Sequence, residues 1–524
     1  MTTQNDLLHR LDALFDPHEQ MVQQPVSTVG YHTALRSGEA HGTRESLHYA
    51  VALLDAGRTE RAAAILARVI ALQDQNPASP TYGIWSWYLS EPLANMAPPD
   101  WNWADFCGTQ LLQVLIDHRA VLPAKLIEQI EAAVVHAARS IQRRDVTLHY
   151  TNIALMGAYV TLVAGERLAD AALREYGLAR LRRFHQYTRE HGGFGEYNSP
   201  SYTPLALEMV ALLRQHVLDA SAHSLIDWLY HRVWEEIAVH YHPPTGQWAG
   251  PHSRNYRTLL SRDALQFKER RTPMPCPVDL EHYLAKLDQP REVVTTFRGS
   301  GLPVVTTTYL HPDFALGSVN SGDLWNQRRS LIAYWGTVEN PGYLRVRFLR
   351  DGHDFATVQF YSQQHQGAVL AAVNFATDGG LTHLHFDRMT DGTFSARDLR
   401  LRFELGGSAA AATVKLAGNT AAIESAVTIH LGIAHAQLGE LAGRLTTGRD
   451  QNTAFVDVVF YEGGERRFDL RAMQTAVSGF ALRLNGARPL PAARLEAQQL
   501  RLDWEGLSLA VAARPDTLER LHQP

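Results

Sequence analysis

The loop HGGFGEYNSPSY, residues 191–202, holds an acid, two phenols and an amide close together: Glu196, Tyr197, Asn198 and Tyr202. Glycine freedom lets such a loop turn tightly and come near a ligand. Pro204 has the place of a proline in a first helical turn, so Tyr202 is expected at the mouth of a helix. A structural loop has little need of that set, whereas proton transfer does. A later segment, YHPPTGQWAGPHSRNYR (241–257), puts His252, Arg254 and Arg257 in a loop held by Gly and Pro. A guanidinium there can grip a carboxylate through two charge-assisted contacts.

Further polar segments interrupt the chain. RRDVTLHYTN leads straight into an apolar helical run and places His149 and Asn152 three apart, on one helical face. An amide at a helix start lies near unsatisfied N–H groups and the positive end of the dipole, and so can assist binding of an anion. The structural alternative is an ordinary cap, which Asp145 or Thr147 would supply as well. In YGIWSWYLSEP and PPDWNW, Trp85, Trp87, Tyr88, Trp101 and Trp103 offer flat apolar faces with polar edges. Such rings stack on sugars or wedge helix ends; Gly, Pro, Asn and Asp among them favour a loop lining. NSGDLWNQRR (320–329) brings Trp325, Arg328 and Arg329 to a strand start, either as one wall of a cleft or as a salt-bridge network. His383, His385 and Asp387 alternate on one strand face and could bind zinc, but 25 histidines offer many chance pairs, so no metal is expected. HExxH, P-loop, Rossmann and GxSxG patterns are absent, and no cofactor is implied.

Helices must position most of these groups. Segments 42–54, 59–74, 103–118, 124–142, 149–164, 168–190, 203–217 and 223–240 repeat apolar residues every three or four positions, in helix-favouring composition. Short turns between them predict antiparallel hairpins, which most simply close into a complete or incomplete (α/α)6 toroid. After Pro290 the character changes. REVVTTF, LPVVTTTYL, LIAYWGTV, YLRVRFL, TVQFYSQQ, VLAAVNFAT, LTHLHFDR, AFVDVVFYE, RRFDLRAM and SGFALRLNG are strand-like and joined by turn residues. The expected fold is multidomain, α then β: a helical catalytic domain over 1–290 and a large antiparallel β-sandwich over 291–524 that forms one side of the cleft. Residues 408–426 fit either strand or loop.

Composition narrows the function classes. The 524 residues are 45% apolar and 20% charged, ordinary for a globular chain of two or three domains. A net charge of -5 argues against a nucleic-acid partner. Almost every cation is Arg, since Lys occurs only at 125, 268, 286 and 415. Cys107 and Cys276 are too far apart in sequence for a CxxC site, and Cys107 fits a buried apolar position. No signal peptide and no apolar run of membrane-spanning length is seen, so a cytoplasmic protein without a membrane partner is the expectation. The oligomeric state is open.

The helix-entering HYTNIALMGAY, the loop GGFGEYNSPSYTPLALE and the later GPHSRNY resemble the polysaccharide lyases built from an (α/α) toroid and a β-sandwich, the heparinase II/III-like and alginate-lyase-like group. The resemblance covers the architecture and short motifs. It implies that Asn152, with His149 beside it, neutralises a substrate carboxylate. It implies that Tyr202 protonates the leaving oxygen or also takes the C5 proton, with His252 as a second candidate base. Relatives carry Asp-Gly-Ser where this chain has GGFGEYNSPSY, so the substrate subfamily is open. The implied reaction is β-elimination at O4 of a uronic acid in an oligo- or polysaccharide, giving a 4,5-unsaturated sugar. Asn198, Arg254, Arg257, Trp325, Arg328, Trp85, Trp87, Tyr88 and Trp103 are the candidate substrate contacts. The cleft is expected where 82–103, 143–152, 191–202 and 241–257 converge, faced by 309–329.

Two other readings use the same residues differently. A glycoside hydrolase on a six-hairpin toroid would need two carboxylates, from Glu196, Asp105, Asp145 and Glu91. A carbohydrate-binding protein without catalysis would use the aromatic loop and the arginines alone.

Overall fold

The computed structural model describes residues 4–26, 32–261, 267, 271–299, 301–379, 389, 391–486 and 490–522. Nine helices of ten residues or more occur among them: α1 (Gln4–Ala13), α2 (Thr43–Asp55), α3 (Thr59–Ile70), α4 (Trp103–Asp117), α5 (Ala124–Arg144), α6 (Thr151–Arg167), α7 (Ala171–His191), α8 (Thr203–His216) and α9 (Ala220–His240). All but α1 follow the periodic segments, with ends moved by a few residues. The helices form two layers: α2, α4 and α6 touch in series, α3 lies against α2 and α5, and α5 packs on α4 and α6.

Amphipathic character decides the layer. In α6, TNIALMGAYVTLVAGER is apolar on nearly every side, and 15 of its 17 residues are buried. In α5 the buried residues recur at helical spacing and every charged residue lies outside that set. Two glycines let α6 and α7 cross closely. A Cβ on Gly177 would stand 2.4 Å from the Leu162 nitrogen, and one on Gly165 would stand 2.2 Å from the Arg174 nitrogen.

Beyond residue 290 the chain forms two large antiparallel sheets. The nine-stranded sheet runs in the order Arg444–Arg449, Thr453–Asp469, Thr393–Gly407, Pro341–Arg350, Leu331–Gly336, Phe314–Val319, Val304–His311, Arg291–Phe297, with His353–Asp354 beside Pro341–Arg350. The eight-stranded sheet contains Val358–His365, Ala368–Phe375, Ala476–Leu484 and Thr428–Leu438 at its centre. Their facing side chains make one core, in which Phe403 meets Phe480 edge-on at 4.9 Å and Phe348 meets Phe375 at 5.2 Å. Residues 408–426, left between strand and loop by their composition, are a 3-10 turn followed by the hairpin Thr413–Ala417/Thr420–Glu424. A three-stranded sheet, Ala492–Glu496, Gln499–Trp504 and Leu507–Ala512, covers the outer face of the eight-stranded one through Leu500, Leu502 and Trp504. The segment with His383, His385 and Asp387 lies outside the described residues.

Two compact units emerge, and they interleave in sequence. One comprises Met1–Arg189, Leu205–Val233 and Asp263–Pro275; the other comprises Glu190–Pro204, Trp234–Arg262 and Cys276–Pro524. The sheet-bearing unit therefore takes in the two polar loops that follow α7 and α9. Cys107 is buried and Cys276 half-buried. Among the described residues no helix is long and apolar enough to cross a membrane.

Candidate functional site

The loop after α7 is fixed from below before it presents any chemistry. Asn198 takes a left-handed conformation, φ 42°, which Asn tolerates better than most residues. Its amide nitrogen donates to the carbonyls of Ala249 and Pro251, each at 2.8 Å, and its oxygen accepts from the Trp248 indole. The Asn198 backbone N–H donates to the buried Glu236 carboxylate at 2.7 Å, and the Thr203 hydroxyl donates to the same oxygen at 3.1 Å. Asn198 is thus a clamp within the protein, 3% exposed, and not the substrate contact the sequence implied.

His252 sits in the same foundation. Its Nδ1–H donates to the Asn198 carbonyl at 2.8 Å, and its backbone pairs with Arg329 in an antiparallel bridge. Its Nε2 stands 3.5 Å from the Tyr334 hydroxyl, which itself donates to the Thr258 carbonyl at 2.8 Å. Burial pushes the imidazole down to about 3, so it is neutral at physiological pH. At 1% exposure it braces the loop from behind, which corrects its expected place as a base facing substrate.

Above this foundation lies a connected group of side chains. Arg254 donates to the Tyr202 hydroxyl at 3.0 Å, to Glu196 at 3.2 Å and to the Gln327 side-chain oxygen at 2.7 Å. Its guanidinium carbon lies 4.5 Å from the Tyr202 ring centre and 5.2 Å from that of Trp325, a cation–π position for both. The Tyr202 hydroxyl shares a 2.6 Å hydrogen bond with the Tyr256 hydroxyl. Tyr202 is half-buried at the start of α8, as Pro204 predicted, and Tyr256 is exposed. Glu196 is only 6% exposed, so its charge is answered by Arg254 inside the protein. The guanidinium therefore contacts both an acid and a phenol, an arrangement that can move a proton at the Tyr202 oxygen.

The other arginines divide. Arg328 binds the buried Asp323 at 2.9 Å; burial would lower its pKa, but this carboxylate overcomes it and raises it. The salt-bridge alternative therefore holds for Arg328. Arg329 is 4% exposed and donates to the Asn326 and Arg328 carbonyls, at 2.7 and 2.8 Å, so it too supports the segment. Arg257 is exposed, with no side-chain hydrogen bond among the described residues.

The remaining candidates belong to the helical unit. Asn152 is fully buried in the first turn of α6, whereas His149 is exposed and bonded to the Tyr187 hydroxyl at 3.1 Å. The two do not share a face, because residues before Thr151 have not entered the helix. The tryptophan-rich segment is core. Trp85 is fully buried with its indole on the Val69 carbonyl, Trp87 stacks on Trp103 at 4.9 Å, and Tyr88 is 4% exposed. These rings have their faces covered by protein, so wedging wins over sugar stacking. Of the acids weighed for hydrolysis, Asp145 is paired with Arg180 and Arg183, and Glu91 accepts from the Ala34 N–H at 2.6 Å. Asp105 is 2% exposed and pushed up to about 7 by burial, against the pull of Arg144 and Arg180.

Sequence reasoning missed Tyr256, Glu236 and the specific role of Gln327. Glu236 stood in an unremarkable helical context; Tyr256 and Gln327 were visible only within segments marked for other residues.

A family model described as a domain of unknown function, DUF8769, matches residues 6–264. No curated relative matches the chain in sequence. The crystal structure of heparinase III is similar at 10% identity over 90% of this chain and 84% of that one, with a TM-score of 0.42. Heparan sulfate lyase HepC from Pedobacter heparinus is 10% identical over 98% and 94%, TM-score 0.37. Chondroitin AC lyase of Streptomyces coelicolor A3, in complex with chondroitin sulphate, is 9% identical over 90% and 79%, TM-score 0.46. Likeness at this level carries no correspondence between residues, and the chemistry is read from the site itself.

Proposed function

We propose that this chain is a lyase that cleaves uronate-containing saccharides by β-elimination, with Tyr202 as the proton-transfer group. The observation that carries the reading is the Arg254 guanidinium, which contacts the Tyr202 oxygen, Glu196 and Gln327 at once. A phenol ordinarily holds its proton until a pH of about 10. A neighbouring guanidinium favours the phenolate, so the base form is populated at lower pH and the phenol gives up its proton more readily.

In the proposed reaction the base removes the proton at C5, α to the uronate carboxylate. The electron pair forms the C4–C5 double bond, and the C4–O4 bond breaks as O4 takes a proton. Tyr202 can serve both steps in turn: as phenolate it accepts the C5 proton, and as phenol it returns one to O4. Negative charge grows on the carboxylate during abstraction and needs donors already in place. Arg254, which donates to the Tyr202 oxygen, and the Gln327 amide held beside it are the donors we assign to that charge, a role the family resemblance implied for Asn152 and His149.

The test is digestion of uronate-containing oligosaccharides while recording ultraviolet absorbance. Elimination creates a conjugated double bond and absorbance rises with cleavage. Reducing sugar accumulating without that absorbance would instead mean hydrolysis.

A further inference from the structure

The nine-stranded sheet carries a second polar site beside the first. One row of directly paired residues crosses five of its strands: Gly317, Ile332, Arg345, Glu404 and Phe455. The loop carrying His252 and Arg254 lies on the Gly317 end, where the Gly250 carbonyl leaves no room for a Cβ. From Arg345 onward the same face opens into a cleft of about 700 Å³. Neighbouring strands lie about 4.8 Å apart, so the cleft begins two strands, roughly 10 Å, from the Gly317 strand beneath that loop.

The cleft is a ladder of opposite charges. Arg345 and Arg347 both hold Glu404, each at 2.6 Å, and Arg347 also binds Asp354 through two bonds of 2.7 Å. Arg402 grips Asp457 through two bonds of 2.8 Å, and Arg400 joins Asp457 to Asp398. Glu404 is 4% exposed and Asp457 0%. Such a ladder is a poor device for stability alone, because removing the charges from water costs about what their attraction returns. Alternate residues of the same strands, Leu344, Val346, Leu401 and Phe403, fill the core on the other face. The two sheets therefore pack through that face, and the ladder lies on the opposite one. Both terminal nitrogens of Arg345, and Nη1 of Arg402, lack hydrogen-bond partners among the described residues.

Resting on the lyase reading, we propose that this cleft binds an uncharged pyranose unit, so that the substrate places a neutral sugar near the uronate that reacts at Tyr202. A sugar hydroxyl both donates and accepts, and each rung offers a guanidinium donor beside a carboxylate acceptor. The volume suits a ligand of one or two rings. Four arginines face Asp354, Asp398, Glu404 and Asp457, with Asp450 at the rim, so no positive excess remains to draw a second carboxylate.

Isothermal titration calorimetry with glucose, galactose, N-acetylglucosamine and sodium glucuronate tests this on the full chain. At least one uncharged sugar should bind saturably and more tightly than glucuronate. Gln451 is an exposed rim residue outside the ladder. Gln451→Trp should therefore weaken binding about tenfold or more with an unchanged melting temperature. Tyr202→Phe should bind as wild type does. No saturable binding of any uncharged sugar, equal binding by Gln451→Trp, or a preference for glucuronate would each overturn the proposal. Full elimination activity in Tyr202→Phe with sugar binding intact would instead remove the role of Tyr202 and leave the cleft standing.

Discussion

Deleting one hydroxyl separates chemistry from packing at Tyr202. Tyr202→Phe keeps the ring against Arg254 and removes the oxygen that Arg254 and Tyr256 share. Turnover should fall roughly 10²-fold or more, the range for loss of general acid–base catalysis. Tyr197→Phe is the matched control. Its buried ring stacks on Phe297 at 4.7 Å and its hydroxyl faces Arg328, so activity should change little. Equal rates for Tyr202→Phe and wild type at saturating substrate would reject the role. Arg254→Lys tests the fork. An ammonium cannot span Glu196, Gln327 and the Tyr202 oxygen in one plane, so a loss of roughly tenfold or more is expected. If Glu196→Gln proves as damaging as Tyr202→Phe and products lack the double bond, Glu196 belongs to a hydrolase.

At the scale of elements, the site depends on how closely a loop can lie on a sheet. A Cβ on Gly317 would stand 1.7 Å from the Gly250 carbonyl oxygen, with backbone on both sides and no flexible side chain to yield. Gly317→Ala should lower unfolding stability by about 2–3 kcal/mol, as overpacking does. It should also reduce turnover, because the displaced loop carries Arg254. Gly464→Ala meets nothing within 4 Å and should be close to neutral in both. Denaturant titration alongside the absorbance assay reads both effects, and an unchanged Gly317→Ala would mean the loop is not held this way. Asn198 is a second anchor. Asn198→Ala leaves the carbonyls of Ala249 and Pro251 without their donor and should cost on the order of 3 kcal/mol.

For the whole molecule, buried histidines set the acid limit. Burial lowers His252 to about 3 and His242 to about 4, while the unfolded chain protonates both near 6.5. Above that pH both states are neutral there and this stability is complete. As pH falls from 6.5 toward 3, the unfolded state gains protons first and stability declines. Each histidine contributes a slope of on the order of 1 kcal/mol per pH unit. Denaturant midpoints should therefore drop clearly between pH 7.5 and pH 5. The drop should be smaller in His252→Gln, whatever that variant loses at neutral pH. An identical pH response in both proteins would show that His252 is not held neutral.

Local patterning settled much of this protein in advance. Periodicity near 3.6 located α2 to α9, and the shift to Val, Thr, Tyr and Phe after Pro290 announced the sheets, because each element buries one face and its sequence records which. The same logic placed Tyr202 at a helix mouth through Pro204 and marked the two loops as chemical. Other assignments depended on which side of an element meets protein. Trp87 and Trp103 have the same sequence character whether they stack on a sugar or on each other. Asn152 and His149 are three apart, yet the helix begins between them. Asn198 and His252 bear chemically active groups, but tertiary hydrogen bonds turn them into supports. Gln327 lies 73 residues from Arg254 in sequence and 2.7 Å from it in space. Arg345, Arg402 and Asp457 read as scattered charges until strand register aligned them on one face. A sequence records what each element wants to bury; only the folded chain decides which polar groups answer one another, because those partners come from strands and loops far apart along it.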